Sequence, residues 1–144
     1  MNGPIVVGTD GSSTAEVAVA QATALASTFG QTLHIVSAFK PQHATGSAMP
    51  AELAAAINSN SWVDSVLQDA ASRARIAGVE VVTHAKVGSP AEAILEVAEH
   101  ESADLIVVGS RGIDSKSRFI LGNVPSRVVH NSPCSTLVVN TREG

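Results

Sequence analysis

Leu105-Ile106-Val107-Val108-Gly109-Ser110-Arg111-Gly112 opens a stretch that closes, after nine further residues, with Gly122-Asn123-Val124-Pro125-Ser126. A short β-branched apolar run that meets glycines at once is how a buried parallel strand passes its chain to a loop approaching a ligand. Gly109 and Gly112 lack a Cβ, so this loop is expected to take positive φ and turn N–H groups toward an anion. Gly122 and Asn123 precede a helix expected from about Val124. The first N–H groups of a helix have no intrahelical acceptor, and its dipole favours negative charge there. Two anion-binding devices therefore flank one loop.

The charge pattern agrees. The whole chain has 9 Lys and Arg against 13 Asp and Glu, yet residues 110–127 hold Arg111, Lys116, Arg118 and Arg127 against Asp114 alone. A basic loop on an acidic chain points to a bound phosphate rather than a nucleic-acid surface. A glycine-bearing turn with solubilising charges would look much the same in isolation, so the surrounding chain has to decide.

At 144 residues, the chain fits one domain, 1–144, with a single sheet-centred fold. Apolar positions are mostly Ala and Val and aromatics are scarce, which suits helices packed closely on a sheet. There is no run long and apolar enough to span a bilayer and no signal-like opening, so the expectation is a cytoplasmic protein without membrane contact. Cys134 is the only cysteine, which rules out an intrachain disulfide, and its apolar setting predicts a buried thiol.

Taken in order, Pro4 to Gly8 reads as a strand that ends in Thr9-Asp10-Gly11-Ser12-Ser13. Ser13 with Glu16 fits a capping box for a helix over about 14–29, with Ala18, Ala22, Leu25 and Phe29 on its apolar face and Gly30 as its stop. Thr32 to Ala38 is the second strand. Residues 40–50 hold two prolines and no apolar period, as expected of a surface loop able to act as a lid. A helix follows over 51–77, with Val63, Val66, Leu67, Ala70 and Ala74 as its stripe and Asn58 to Ser61 as a point of interruption. Val79 to Val87 is the third strand. Ser89-Pro90-Ala91-Glu92 starts a helix to about 101, Asp104 to Val108 is the fourth strand, a last helix covers 124–131, and Ser135 to Asn140 is the fifth strand.

Strands alternating with helices imply a doubly wound parallel sheet with helices on both faces and right-handed crossovers. Ligands in such sheets bind beyond the carboxyl ends of the strands, where strand order reverses. The loops at 8–12 and 109–112 both leave carboxyl ends. If strands one and four are neighbours, those loops share one crevice.

The spacing Gly109-x2-Gly112-x9-Gly122 resembles the nucleotide-binding motif of the universal stress protein family, and the likeness covers the whole chain. Val6-Val7-Gly8-Thr9-Asp10-Gly11-Ser12 is similar to that family's first strand and loop, and Pro133-Cys134-Ser135-Thr136-Leu137-Val138-Val139 to its closing strand. The resemblance implies an α/β, Rossmann-like fold with five strands in the order 3-2-1-4-5 and an adenine-nucleotide pocket between strands one and four. It also implies a homodimer through the last strand, Ser135 to Asn140.

By the same resemblance, Gly8, Thr9 and Asp10 would border the adenosine, with Asp10 able to reach ribose or Mg²⁺, and Ala38 would touch adenine through its backbone. Gly109, Ser110, Arg111 and Gly112 would follow the ribose and phosphates. Gly122, Asn123, Val124 and Ser126 would bind phosphate oxygens. The ligand implied is ATP or a related adenine nucleotide, AMP and cyclic AMP included. Asn123 departs from the family's Ser or Thr: it can cap a helix but offers no hydroxyl to Mg²⁺ or a terminal phosphate. Pro125 removes one more donor. Both departures weigh against tight triphosphate binding.

Several catalytic readings fail on residue type. Asp10 lacks the second aspartate, two residues on, that an aspartyl-phosphatase loop requires, because Ser12 stands there. No Gly-Lys-Ser/Thr supplies a phosphate-binding lysine, and Gly109-Ser110-Arg111-Gly112 has the wrong spacing for a nucleophile elbow. Asp10 is thus read as a binding or loop-capping residue. His34, His43, His84, His100 and His130 lie on separate elements without paired ligand spacing, so each is expected to be structural or exposed and no metal site is assigned. Trp62 is expected to pack. The function that follows is a stress-response regulator acting as a nucleotide-dependent switch or sensor. A slow ATPase, for which no base is evident, and a dimeric interaction module with a vestigial pocket are the alternatives.

Overall fold

The computed structural model describes the backbone of residues 1–40, 49–110 and 121–141, and the side chains of the same residues except 49–60. Five strands and four helices alternate: β1 (Ile5–Gly8), α1 (Ser13–Phe29), β2 (Leu33–Phe39), α2 (Met49–Ile76), β3 (Val81–Val87), α3 (Pro90–His100), β4 (Leu105–Gly109), α4 (Asn123–Asn131) and β5 (Ser135–Val139). The sheet order is β3-β2-β1-β4-β5, and every pairing is parallel. This is the topology implied above, with β1 at the centre and the order reversing beside it.

Burial explains why β1 is apolar without alternation. Ile5, Val6 and Val7 are each 0% exposed because the strand is covered on both faces. Ile5 and Val7 pack with Val19, Ala22, Leu67 and Ala74 of α1 and α2. Val6 points the other way, to Ile94, Val97 and Val128 of α3 and α4. The small residues of the helices let them lie close to the sheet, which is the packing that the Ala- and Val-rich composition predicted.

Local signals landed with small displacements. Ser12, not Ser13, caps α1: its Oγ accepts from the Ala15 N–H at 3.2 Å, and the carbonyl of Ser12 accepts from the Glu16 N–H. The two adjacent serines make either cap chemically adequate, and the turn after Asp10 selects the earlier one. Gly30 ends α1 at φ 67°, where its N–H donates to the Ala26 carbonyl. Phe29 lies outside the core at 48% exposure, and Val19 and Ala26 take the buried positions. α2 runs without a break through Asn58 to Ser61. Ser89 caps α3 as expected, accepting from the Glu92 N–H, with Pro90 in the first turn.

Three further expectations need correction. Trp62 is not buried: it is 62% exposed, with its indole beside the turn after β1, where Cζ2 would stand 3.6 Å from a Cβ at Gly11. Cys134 is half-buried rather than buried, with Ser132 Oγ beside its Sγ, and partial burial raises its thiol pKa. His34 and His84, 50 residues apart in sequence, are in contact across β2 and β3. The proposed lid falls at 41–48 outside the described residues, while Met49 and Pro50 already belong to α2.

Candidate functional site

The site follows from unequal strand lengths. β1 leaves the sheet at Gly8, in register with Val36, while β2 continues to Phe39. On the other side Val7 pairs with Val107, and β4 continues to Gly109. Two strands thus overhang a short central one.

Main-chain polar groups alternate in direction along a strand, and that alternation tells where the overhanging groups point. The Thr9 N–H donates to the Val36 carbonyl at 2.9 Å, and the Gly88 N–H donates to the Phe39 carbonyl. Even-numbered positions of β2 therefore face β1, and Ala38 directs its N–H and C=O into the space beyond Gly8. The Ser110 N–H donates to the Val139 carbonyl at 2.8 Å, toward β5. Gly109 accordingly faces the β1 side. Its place is inside extended β4, so the expected positive φ is not found there; Gly11, at φ 82°, supplies the left-handed turn instead.

A cleft open to solvent lies over this gap. Among the described residues, Val36, Ala38 and Val108 line its sheet side, Gly8, Thr9 and Asp10 one rim, and Gly109 with Val124 and Pro125 the other. Pro90 and Ile94 of α3 close the back. The glycine at position 8 has a steric cause, because a Cβ there would stand 2.4 Å from Ile94 Cδ1, the end of a side chain that is 3% exposed.

Hydrogen bonds sort the expected contact residues further. Asp10 Oδ1 accepts from both the N–H and the Oγ of Ser12, so this carboxylate fixes its own loop. Ser110 turns away, accepting from the Thr141 N–H at 3.1 Å through Oγ. Gly122 is the N-cap of α4, so the helix begins at Asn123, one residue before the expected start. Its N–H donates to the Ser110 carbonyl at 3.0 Å, and its carbonyl accepts from the Ser126 N–H. Asn123 is thereby the first helical residue rather than the cap. With Pro125 lacking a donor, helix geometry leaves the N–H groups of Asn123 and Val124 as those of this turn without an intrahelical acceptor. Arg127 lies outside the cleft and pairs with Glu92 of α3 at 3.2 Å. Arg111 and Gly112 lie outside the described residues, as do Lys116 and Arg118.

Gly8, Thr9, Asp10, Ala38, Gly109 and Val124 are thus brought to one cleft. Pro90, Ile94, Val36 and Val108 also line it, and sequence reading did not select them. Val36, Val108 and Ile94 read as apolar core and Pro90 as a helix start, and only the packing of the elements shows that they end at an opening.

A sequence model described as the universal stress protein family matches residues 1–140. A universal stress protein of Mycobacterium tuberculosis is 34% identical over 140 residues, covering 95% of each chain. The crystal structure of a universal stress protein in complex with cAMP superposes with a TM-score of 0.75 at 30% identity, over 97% of this chain and 98% of that one. The universal stress protein from Archaeoglobus fulgidus in complex with dAMP gives a TM-score of 0.65 at 25% identity, over 94% and 96% of the two chains.

Proposed function

This chain belongs to the universal stress protein family, and from that premise we propose that it binds an adenine nucleotide and acts as a nucleotide-dependent regulator in the stress response. The observation that carries this reading is the gap above β1. Ala38 and Gly109 turn main-chain groups into it from either side, and the first turn of α4 stands at its rim. An apolar floor with main-chain donors and acceptors at its edges suits a purine, and a helix N-terminus suits a phosphate. The complexes of related proteins with cAMP and dAMP support the same ligand class.

In this reading Gly8, Thr9 and Asp10 border the sugar and Ala38 meets the base through its backbone. Gly109, Arg111 and Gly112 follow the phosphate path, Ser110 holds the turn through Val139, Gly122 and Thr141, and Gly122, Asn123, Val124 and Ser126 form the end of the path. The Gly122 and Ser126 N–H groups are engaged within the protein, so their part is to hold the turn, while Asn123 and Val124 donate. In the first turn of α4, two main-chain donors with no hydroxyl at position 123 suit one phosphate better than three. AMP and cyclic AMP are therefore favoured over ATP, and Mg²⁺ would be reached through Asp10 if at all. The protein works in the cytoplasm as a homodimer joined through β5.

Calorimetric titration of the purified protein with AMP, cyclic AMP and ATP, each with and without Mg²⁺, tests the proposal, with chromatography of the nucleotide afterwards. Saturable binding with the nucleotide recovered intact is expected. Release of ADP would make the protein an ATPase, and no binding of any of the three would leave it a module with a vestigial pocket.

A further inference from the structure

Toward the amino-terminal edge of the sheet, away from the cleft, three side chains from distant parts of the chain meet. His34 of β2 and His84 of β3 lie two register positions apart on the face covered by α3, since His34 is opposite Val82 and His84 opposite Val36. His34 Nδ1 and His84 Nε2 are 2.8 Å apart, and the rings stack with centroids 5.1 Å apart. Glu101, just past the end of α3, brings a carboxylate to the same place: one nitrogen from each ring and one oxygen of Glu101 all lie within 4.8 Å of one another.

We infer that His34, His84 and Glu101 form a binding site for a divalent first-row transition-metal ion such as Zn²⁺. Two imidazoles and one carboxylate on a single side are a donor set that such ions accept, with the remaining positions left to water. The distances suit it. Two nitrogens about 2.1 Å from one ion stand about 3.0 Å apart at a right angle and about 3.4 Å apart at the tetrahedral angle. The observed 2.8 Å thus has to open by a few tenths of an ångström.

The tautomers suit it too. A neutral pair at hydrogen-bond distance shares one proton along the N···N line. On binding, that proton moves to the other nitrogen of its own ring, and both facing lone pairs go to the metal. His34 is 6% exposed, whereas His84 and Glu101 are only half-buried, which leaves an ion a way in. A structural pair of stacked histidines would explain the ring contact alone; Glu101 also lies 3.7 Å from the exposed His100 ring, so its part at the third corner is what the Glu101→Gln variant tests.

The test is titration of the tag-free full chain with Zn²⁺ alone, followed by Co²⁺ as a spectroscopic reporter. One equivalent is expected to bind, with a Co²⁺ absorption band that shows nitrogen ligation. His84→Asn and Glu101→Gln are each expected to weaken binding by about tenfold or more. His130→Asn, on the exposed side of α4, is expected to change nothing. Circular dichroism identifies a misfolded variant; Glu101→Gln, at a helix end, keeps the test open should His84→Asn misfold. Absence of saturable Zn²⁺ binding would overturn the site. So would binding that survives both substitutions in folded protein.

Discussion

Gly8 shows how a single side chain would reshape the pocket. A methyl group at this position meets Ile94 at a distance that real Cβ atoms do not adopt, and Ile94 is held in the core beneath α3. Gly8→Ala is therefore expected to cost about 1–3 kcal/mol by overpacking, measured by urea denaturation. Gly122 differs, because its φ of −61° is open to any residue. Gly122→Val should leave the fold intact and abolish nucleotide binding by placing a branched side chain beside the phosphate. Unchanged affinity in calorimetry would refute the close approach assigned to that turn.

The histidine pair gives a pH dependence. His34 and His84 have lowered pKa values in the folded protein, so below the ordinary value of 6.5 the unfolded chain takes up protons first. Their contribution to stability is complete above that pH and is lost as the pH falls below it. Glu101 opposes the shift of both rings, and Lys86 and His100 reinforce that of His84. The urea midpoint is expected to drop between about pH 7.5 and about pH 5.5, a window that brackets the histidine range. His84→Asn should flatten that drop, and an equal drop in the variant would contradict it.

At the scale of elements, the readable features were those with local chemistry. Ser89-Pro90 fixed the start of α3, Gly30 the end of α1, and the unbroken Ile5-Val6-Val7 run a strand buried on both faces. What escaped reading depended on contacts between elements. The pairing of His34 with His84 exists only because β2 and β3 are neighbours in one register, and the place of Trp62 beside Gly11 depends on where α2 lies against the turn after β1. The cap of α4 moved to Gly122 because the Ser110 carbonyl holds its N–H. α3 forms the back wall of the cleft, so its cap carries a measurable consequence. Ser89→Ala is expected to cost about 1 kcal/mol, seen as a lower urea midpoint with an unchanged denaturant slope.

For the whole molecule, topology does most of the work. Placing β1 between β2 and β4, and ending it first, is what makes a pocket from strands that would otherwise close the sheet. The family motif in the sequence located this crevice through Gly8, Asp10 and Gly109. It could not show that Ser110 and Arg127 turn to other partners. The far edge of the same sheet is β5, the strand through which dimerisation is proposed. In β5 the odd-numbered positions bond to β4, so the Val138 N–H points outward from the edge. Val138→Pro should thus spare the β4 ladder and weaken self-association, read by sedimentation; a variant as dimeric as the parent would place the interface elsewhere.

The central claim is that main-chain groups around the gap above β1 hold an adenine nucleotide, and the most direct measurement is amide mapping by NMR during titration with AMP. Shifts are expected to concentrate at Gly8, Thr9, Asp10, Ala38, Gly109, Asn123 and Val124 and to saturate together. Saturating shifts confined to other parts of the chain, or no shifts at all, would contradict it.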